Sequence, residues 1–151
     1  MRYLKNLRNR EEEQKLFKEY LMLLEMLEGR ISLEFLDEYR KHGFHDNPIA
    51  KISFERVKLK DSWAYQLVIN HYDYFKENTL HSIILKNVRL MKSEFGGNNF
   101  EENFICGCYD ILTFEILSFD EKTLSIEIEF SDNGLLYVEF EELFYTKENL
   151  K

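Results

Sequence analysis

Leu124-Ser125-Ile126-Glu127-Ile128-Glu129-Phe130, followed after Ser131-Asp132-Asn133-Gly134 by Leu135-Leu136-Tyr137-Val138-Glu139-Phe140, alternates apolar and polar side chains with a period of two. A strand sends successive side chains to opposite faces, so this period predicts two strands, each with one apolar and one polar face. The Asp-Asn-Gly between them is turn chemistry and closes an antiparallel hairpin. A two-residue Asn133-Gly134 loop would set Phe130 opposite Tyr137 and mix the faces, which a half-buried sheet does not accept. A three-residue loop keeps them separate, with Gly134 at its left-handed position. It predicts Phe130 opposite Leu136, Ile128 opposite Val138 and Ile126 opposite Phe140, and on the polar face Glu129 opposite Tyr137 and Glu127 opposite Glu139. In the run before, Leu112, Phe114 and Ile116 share one parity and Thr113 and Glu115 the other, so a third strand joins the pair.

Upstream the same period recurs. Ile52 and Phe54 alternate with Ser53 and Glu55, and Trp63, Tyr65, Leu67 and Ile69 with Ala64, Gln66, Val68 and Asn70, around a turn at Lys58 to Ser62. A run from Leu80 to Met91 reads as another strand with a bulge at Lys86-Asn87. Gly96-Gly97-Asn98-Asn99 marks Lys92 to Asn103 as a loop. Before His45-Asp46-Asn47-Pro48 the period is helical. Asn9 with Glu12 resembles a capping box ahead of Leu16, Tyr20, Leu23, Leu24 and Leu27, and Gly29 ends that helix. Ser32 caps a second helix through Leu33, Leu36 and Tyr39, closed at Gly43. These elements predict an α+β fold: an N-terminal helical pair packed against a mainly antiparallel sheet of about six strands. With 151 residues, one proline and six glycines, residues 1–151 read as a single domain with one core.

The charge is unevenly placed. From Glu101 to Lys151 thirteen acidic residues face three lysines, a local net charge of −10, while residues 1–100 carry +2. That balance excludes nucleic acid as the expected partner, because phosphate backbones need clustered Lys and Arg. The longest apolar stretch, Tyr20 to Leu24, is far short of the roughly 20 residues of a bilayer span. Asn9-Arg10-Glu11-Glu12-Glu13 stands where a signal peptide would need its apolar region. A reducing cytoplasm is the expected compartment, since only two cysteines occur.

Motifs with a chemical reading are few. Cys106-Gly107-Cys108 places two thiols on one side of a strand, yet zinc wants four ligands, so buried free cysteines are the simpler reading. His42, His45 and Asp46 read as helix-end and turn chemistry. His71-Tyr72-Asp73 lacks a nucleophile, and neighbouring side chains on a strand diverge. No glycine loop cradles phosphate. No metal and no cofactor is expected. What remains is the polar face of the last strands: Glu115, Glu127, Glu129, Glu139 and Glu141 around Tyr137, with Leu135 at the strand start.

In overall form the chain resembles the small acidic bacterial immunity proteins of polymorphic toxin systems. The resemblance is carried by the helical start, the antiparallel sheet, and strands such as Tyr109-Asp110-Ile111-Leu112-Thr113-Phe114-Glu115-Ile116 and Leu135-Leu136-Tyr137-Val138-Glu139-Phe140. It implies stoichiometric inhibition, in which an acidic sheet face covers a basic, often nuclease-type, toxin surface. The expectation is thus a non-enzymatic binding protein with a basic protein partner, contacting it through Glu115, Glu127, Glu129, Tyr137, Glu139 and Glu141. Two alternatives stand beside it. One is a small enzyme or ligand-binding domain with a pocket between helices and sheet near Trp63, His71 and Cys106. The other is a homo-oligomeric module in which acidic and basic regions, the latter around Lys51, Arg56, Lys58 and Lys60, pair between copies.

Overall fold

The computed structural model describes residues 10–27, 29–73, 78–94, 110–118, 120–131 and 134–150. Two helices, α1 (Arg10–Glu25) and α2 (Leu33–His42), precede the strands. Ser32 caps α2 as its sequence implies, its Oγ accepting from the Phe35 N–H at 3.4 Å, and Gly43 closes the helix at φ 63°. A residue with a Cβ is strained at that φ, so glycine belongs there.

The strands are β1 (Ile49–Lys58), β2 (Trp63–Tyr72), β3 (Thr79–Lys86), β4 (Leu90–Glu94), β5 (Ile111–Ser118), β6 (Leu124–Phe130), β7 (Leu135–Phe140) and β8 (Glu142–Asn149). The fold is α+β, with antiparallel strands throughout. In place of one sheet of about six strands, the described residues form two of four, ordered β1-β2-β3-β8 and β4-β7-β6-β5. Two bends make the difference. The run over Leu80 to Met91 turns a corner at Asn87, whose φ is 54°, and becomes β3 and β4. Its partner turns at Glu141 and becomes β7 and β8. The bent strands pair on both sides of the corner, and the Glu141 and Arg89 N–H groups donate to Lys86 and Glu139 carbonyls across it, at 3.0 and 2.9 Å. Lys92 to Glu94, expected in a loop, lie in β4; the rest of that segment and both cysteines fall outside the described residues.

The register of the β6–β7 hairpin differs from expectation by two residues. Ile128 faces Leu136 and Ile126 faces Val138, while the Phe130 N–H donates to the Gly134 carbonyl at 2.9 Å. Gly134 thus pairs across from Phe130, and the strands start closer to the turn. A shift of two preserves parity, so every side chain keeps its face while changing its neighbour. A second difference is a bulge between Ile111 and Thr113, which turns Ile111 into the core and leaves Leu112 exposed.

Unpaired sheet edges invite pairing with other chains, and three devices treat them here. Arg30 to Ser32 lie along β8, with Leu143 N donating to Arg30 O and Ser32 N to Leu143 O. At Pro48 and Asp110 the outermost strands of the two sheets touch, and Asp46 N and Asn47 O both bond Ile111. Further along β5 the helices take over. The Tyr20 hydroxyl donates to Ile116 O at 3.0 Å and accepts from Ile116 N, and the Tyr39 hydroxyl donates to Phe114 O. Both tyrosines are buried. Tyr20→Phe keeps the ring and leaves a buried N–H and C=O without the hydroxyl, which costs about 1–3 kcal/mol. Urea unfolding should show that loss, and an unchanged midpoint would mean the hydroxyl contributes nothing to edge closure.

Candidate partner-binding face

Directly opposed residues of antiparallel strands share a face, so the pairing of β5, β6, β7 and β4 lays the polar face out in rows. These are Thr113–Glu129–Leu135–Glu94, Glu115–Glu127–Tyr137–Lys92 and Leu117–Ser125–Glu139–Leu90. Five carboxylates and one lysine share this face. Lys92, Glu94, Glu127, Leu135 and Tyr137 line a groove of about 260 Å³. Glu127, Glu129, Tyr137 and Glu139 are all half-buried. The Tyr137 hydroxyl donates to Glu139 at 2.9 Å, and Thr113 Oγ1 to Glu129 at 3.4 Å. Partial burial, then the bond to Glu139, raise the Tyr137 pKa above its ordinary value, so the phenol is neutral at pH 7.

Four of the six residues expected at the site therefore share one face around the groove: Glu127, Glu129, Tyr137 and Glu139. Glu115 occupies the same face but is fully buried, which corrects its placement on a solvated surface. It lies near the phenols that cap β5. Burial raises the pKa of both Tyr20 and Tyr39, and the charge of Glu115 adds to the rise in each. Alternation assigned Glu115 its side of the strand and could not show what covers it. Glu141 is not on the face at all. The corner between β7 and β8 breaks the alternation there, and its carboxylate is held by Arg89 and, at 2.9 Å, by Asn87 Nδ2. Glu94 and Lys92 join the site unexpectedly; the signal for them was the β-rich run continuing past Asn87.

Trp63 and His71, expected beside one pocket, stand at opposite ends of β2, one exposed and one buried. Cys106 lies outside the described residues. His71 instead meets His81, its partner across β2 and β3, with ring centroids 4.9 Å apart and nearly parallel. Asn47 Nδ2 donates to His71 Nδ1 at 3.1 Å, and Phe44 packs its edge on the same ring. His81 Nδ1 shares a hydrogen bond with the Tyr145 hydroxyl, while its Nε2 faces Asp73 Oδ2 at 3.6 Å. Asp, His and Tyr in line resemble a proton relay, and all of these side chains are buried.

Burial lowers the His81 pKa below its usual 6.5, with Asp73 opposing. The unfolded chain therefore takes up this proton more readily than the folded one, and the stability that His81 contributes is present above pH 6.5 and lost as pH falls below it. Glu38 acts in a separate window. Burial raises its pKa, but the bonds from Lys41 and Lys147 at 2.9 and 3.1 Å outweigh that and leave it below 4.5, so its contribution is lost only in stronger acid. Unfolding free energy should fall between pH 7.5 and 5.5, and His81→Gln should flatten that slope. An equal slope in the variant would remove His81 as its source.

No protein-family model matches this chain, and no curated protein matches its sequence. Among the described residues no helix is long and apolar enough to cross a membrane.

Proposed function

We propose that this chain is a non-enzymatic binding protein of the immunity type, which covers a basic surface of a nuclease-type toxin in the cytoplasm with the face of β6, β7 and β4. The observation that carries this reading is the groove over Leu135 and Tyr137, bordered by Glu94, Glu127 and Lys92, with Glu129 and Glu139 beside it on the same face, where carboxylates outnumber the one lysine. At about 260 Å³ it lies below the roughly 300 Å³ at which small-molecule pockets begin. It suits one long side chain presented by a protein. A lysine or arginine entering it would lay its methylenes on Leu135 and Tyr137 and bring its charge among carboxylates. The remaining carboxylates would steer a basic partner into place and repel acidic ones.

The test is association kinetics with a toxin-like protein encoded beside this gene, for wild type and for Glu127→Lys/Glu129→Lys/Glu139→Lys. The variant should associate far more slowly. Unchanged kinetics and salt dependence would overturn the reading.

A further inference from the structure

The β1–β2 hairpin reaches past the sheet it belongs to. β3 pairs with β2 from Gln66 to Tyr72, and Val88 N still donates to Tyr65 O at 2.9 Å, so Trp63 and Ala64 with their partners Lys58 and Val57 form a two-stranded arm with Arg56 and Tyr65 at its base, closed by a turn in which Leu59 N donates to Ser62 O. Pairing sets Phe54 with Leu67, Arg56 with Tyr65 and Lys58 with Trp63. The face that buries Leu67 and Ile69 further along thus continues onto the arm, where nothing among the described residues covers it. Trp63 is 53% exposed, Phe54 48% and Tyr65 43%. Phe54 and Tyr65 stack at 5.2 Å, almost parallel, and the Arg56 guanidinium lies 4.2 Å from the centre of the Trp63 ring. The ionic groups on this face, Arg56 and Lys58, are both cations, and Glu55 is on the opposite face with Gln66.

The geometry points to the arm as a docking surface for a second copy of this chain, engaging the acidic face of β6, β7 and β4. The inference rests on that face being a binding surface, as proposed above. Charge complementarity selects the occupant: a chain of net charge −8 presents a cationic aromatic strip on one sheet and a carboxylate-rimmed groove on the other. Trp, Tyr and Arg are the residue types that dominate protein interfaces, and here they sit together, Tyr65 stacked on Phe54 and Arg56 over Trp63. Two arms meeting each other would oppose Arg56 and Lys58 with their own copies, which disfavours a symmetric contact. Arm to groove joins unlike surfaces, so a dimer held by one such contact retains one free arm on one copy and one free groove on the other, and association continues beyond the dimer. A basic partner in the groove competes with it.

Sedimentation velocity on the full chain tests this, at about 20 mM and about 300 mM salt, between which the Debye length falls from roughly 20 Å to roughly 6 Å. At low salt the wild-type mass should rise with concentration past that of a dimer, and at high salt the association should weaken at least tenfold. Arg56→Glu/Trp63→Ala and Glu127→Lys/Glu129→Lys should each be monomeric, and their equimolar mixture should give a one-to-one dimer and nothing larger, because one intact arm then meets one intact groove. A monomeric wild type at low salt overturns the inference, as does self-association of the Glu127→Lys/Glu129→Lys variant alone, which would mean arm against arm. A monomeric wild type whose arm binds a single-stranded oligonucleotide overturns it in favour of nucleic acid. Octalysine separates this inference from the reading it rests on. A monomeric wild type that binds octalysine through Glu127 and Glu129 loses only the arm, and one that does not bind loses both.

Discussion

Phe35→Ala should lower the free energy of unfolding by about 3–5 kcal/mol, a large part of the roughly 5–15 kcal/mol that a domain of this kind has. Phe35 is fully buried on α2, and its ring lies 5.5–6.3 Å from those of Tyr39, Phe44, Phe114 and Tyr145. Those four rings come from α2, the following turn, β5 and β8, so one side chain ties α2 to both sheets. Its removal leaves a cavity among aromatic rings anchored by other bonds, Tyr39 to the β5 edge and Tyr145 to His81, and they cannot collapse into the space. A site that cannot relax is where the cavity penalty is largest. The expected loss corresponds to a fall of about 6–20 °C in Tm for a chain of this length. Met26→Ala is the control: Met26 is 81% exposed, and its replacement should change stability by no more than about 0.5 kcal/mol. Equal losses in the two variants would show that the aromatic cluster does not join the layers as described.

The parts of this fold that were readable in the sequence depend on local physics. Ser32 and Gly43 bound α2 because a hydroxyl acceptor and a left-handed glycine do that work within one turn of chain. The faces of β6 and β7 follow from period-two alternation, and they survived a two-residue error in register because parity did. What failed depends on the third dimension. The bends at Asn87 and Glu141 divide one sheet into two, and they also took Glu141 off the acidic face. β8 was missed because its apolar positions, Leu143 and Tyr145, give way to Lys147, Glu148 and Asn149. Glu115 stands on the predicted side of its strand and is still buried, since alternation says nothing of what packs on a face. His71 and His81 are ten residues apart in sequence and come together only through β2–β3 pairing, which also brings His81 to Asp73. Of the candidate site, Glu127, Glu129, Tyr137 and Glu139 were legible. Glu94 and Lys92 needed the partner strand.

Reversing Glu127, Glu129 and Glu139 to lysine should slow association with a basic partner by about 10²–10³-fold at low salt. The face carries Glu94, Glu127, Glu129 and Glu139 against Lys92, apart from the buried Glu115, and three reversals turn it from acidic to basic. Complementary fields raise association rates by about 10–10³-fold, so inverting the field forfeits the enhancement and adds repulsion. The positions are chosen for what they leave intact. Glu115 is buried and Glu141 holds the corner with Arg89, so reversing either would test folding in place of binding. The three chosen residues are half-buried, and the bonds at risk include those from Thr113 to Glu129 and from Tyr137 to Glu139, about 0.5–1.5 kcal/mol each. Retained far-ultraviolet dichroism and a cooperative melt would show that the fold persists. Salt then separates steering from contact. As the Debye length shrinks from about 10 Å at 0.1 M to about 3 Å at 1 M, the rates of wild type and variant should converge. Tyr137→Ala should act in the other direction of the same reaction, by removing an aromatic anchor from the groove: its main effect should be faster dissociation, by a factor of about 30 if the ring contributes about 2 kcal/mol. A triple reversal that leaves both the association rate and its salt slope unchanged would place the contact on another surface.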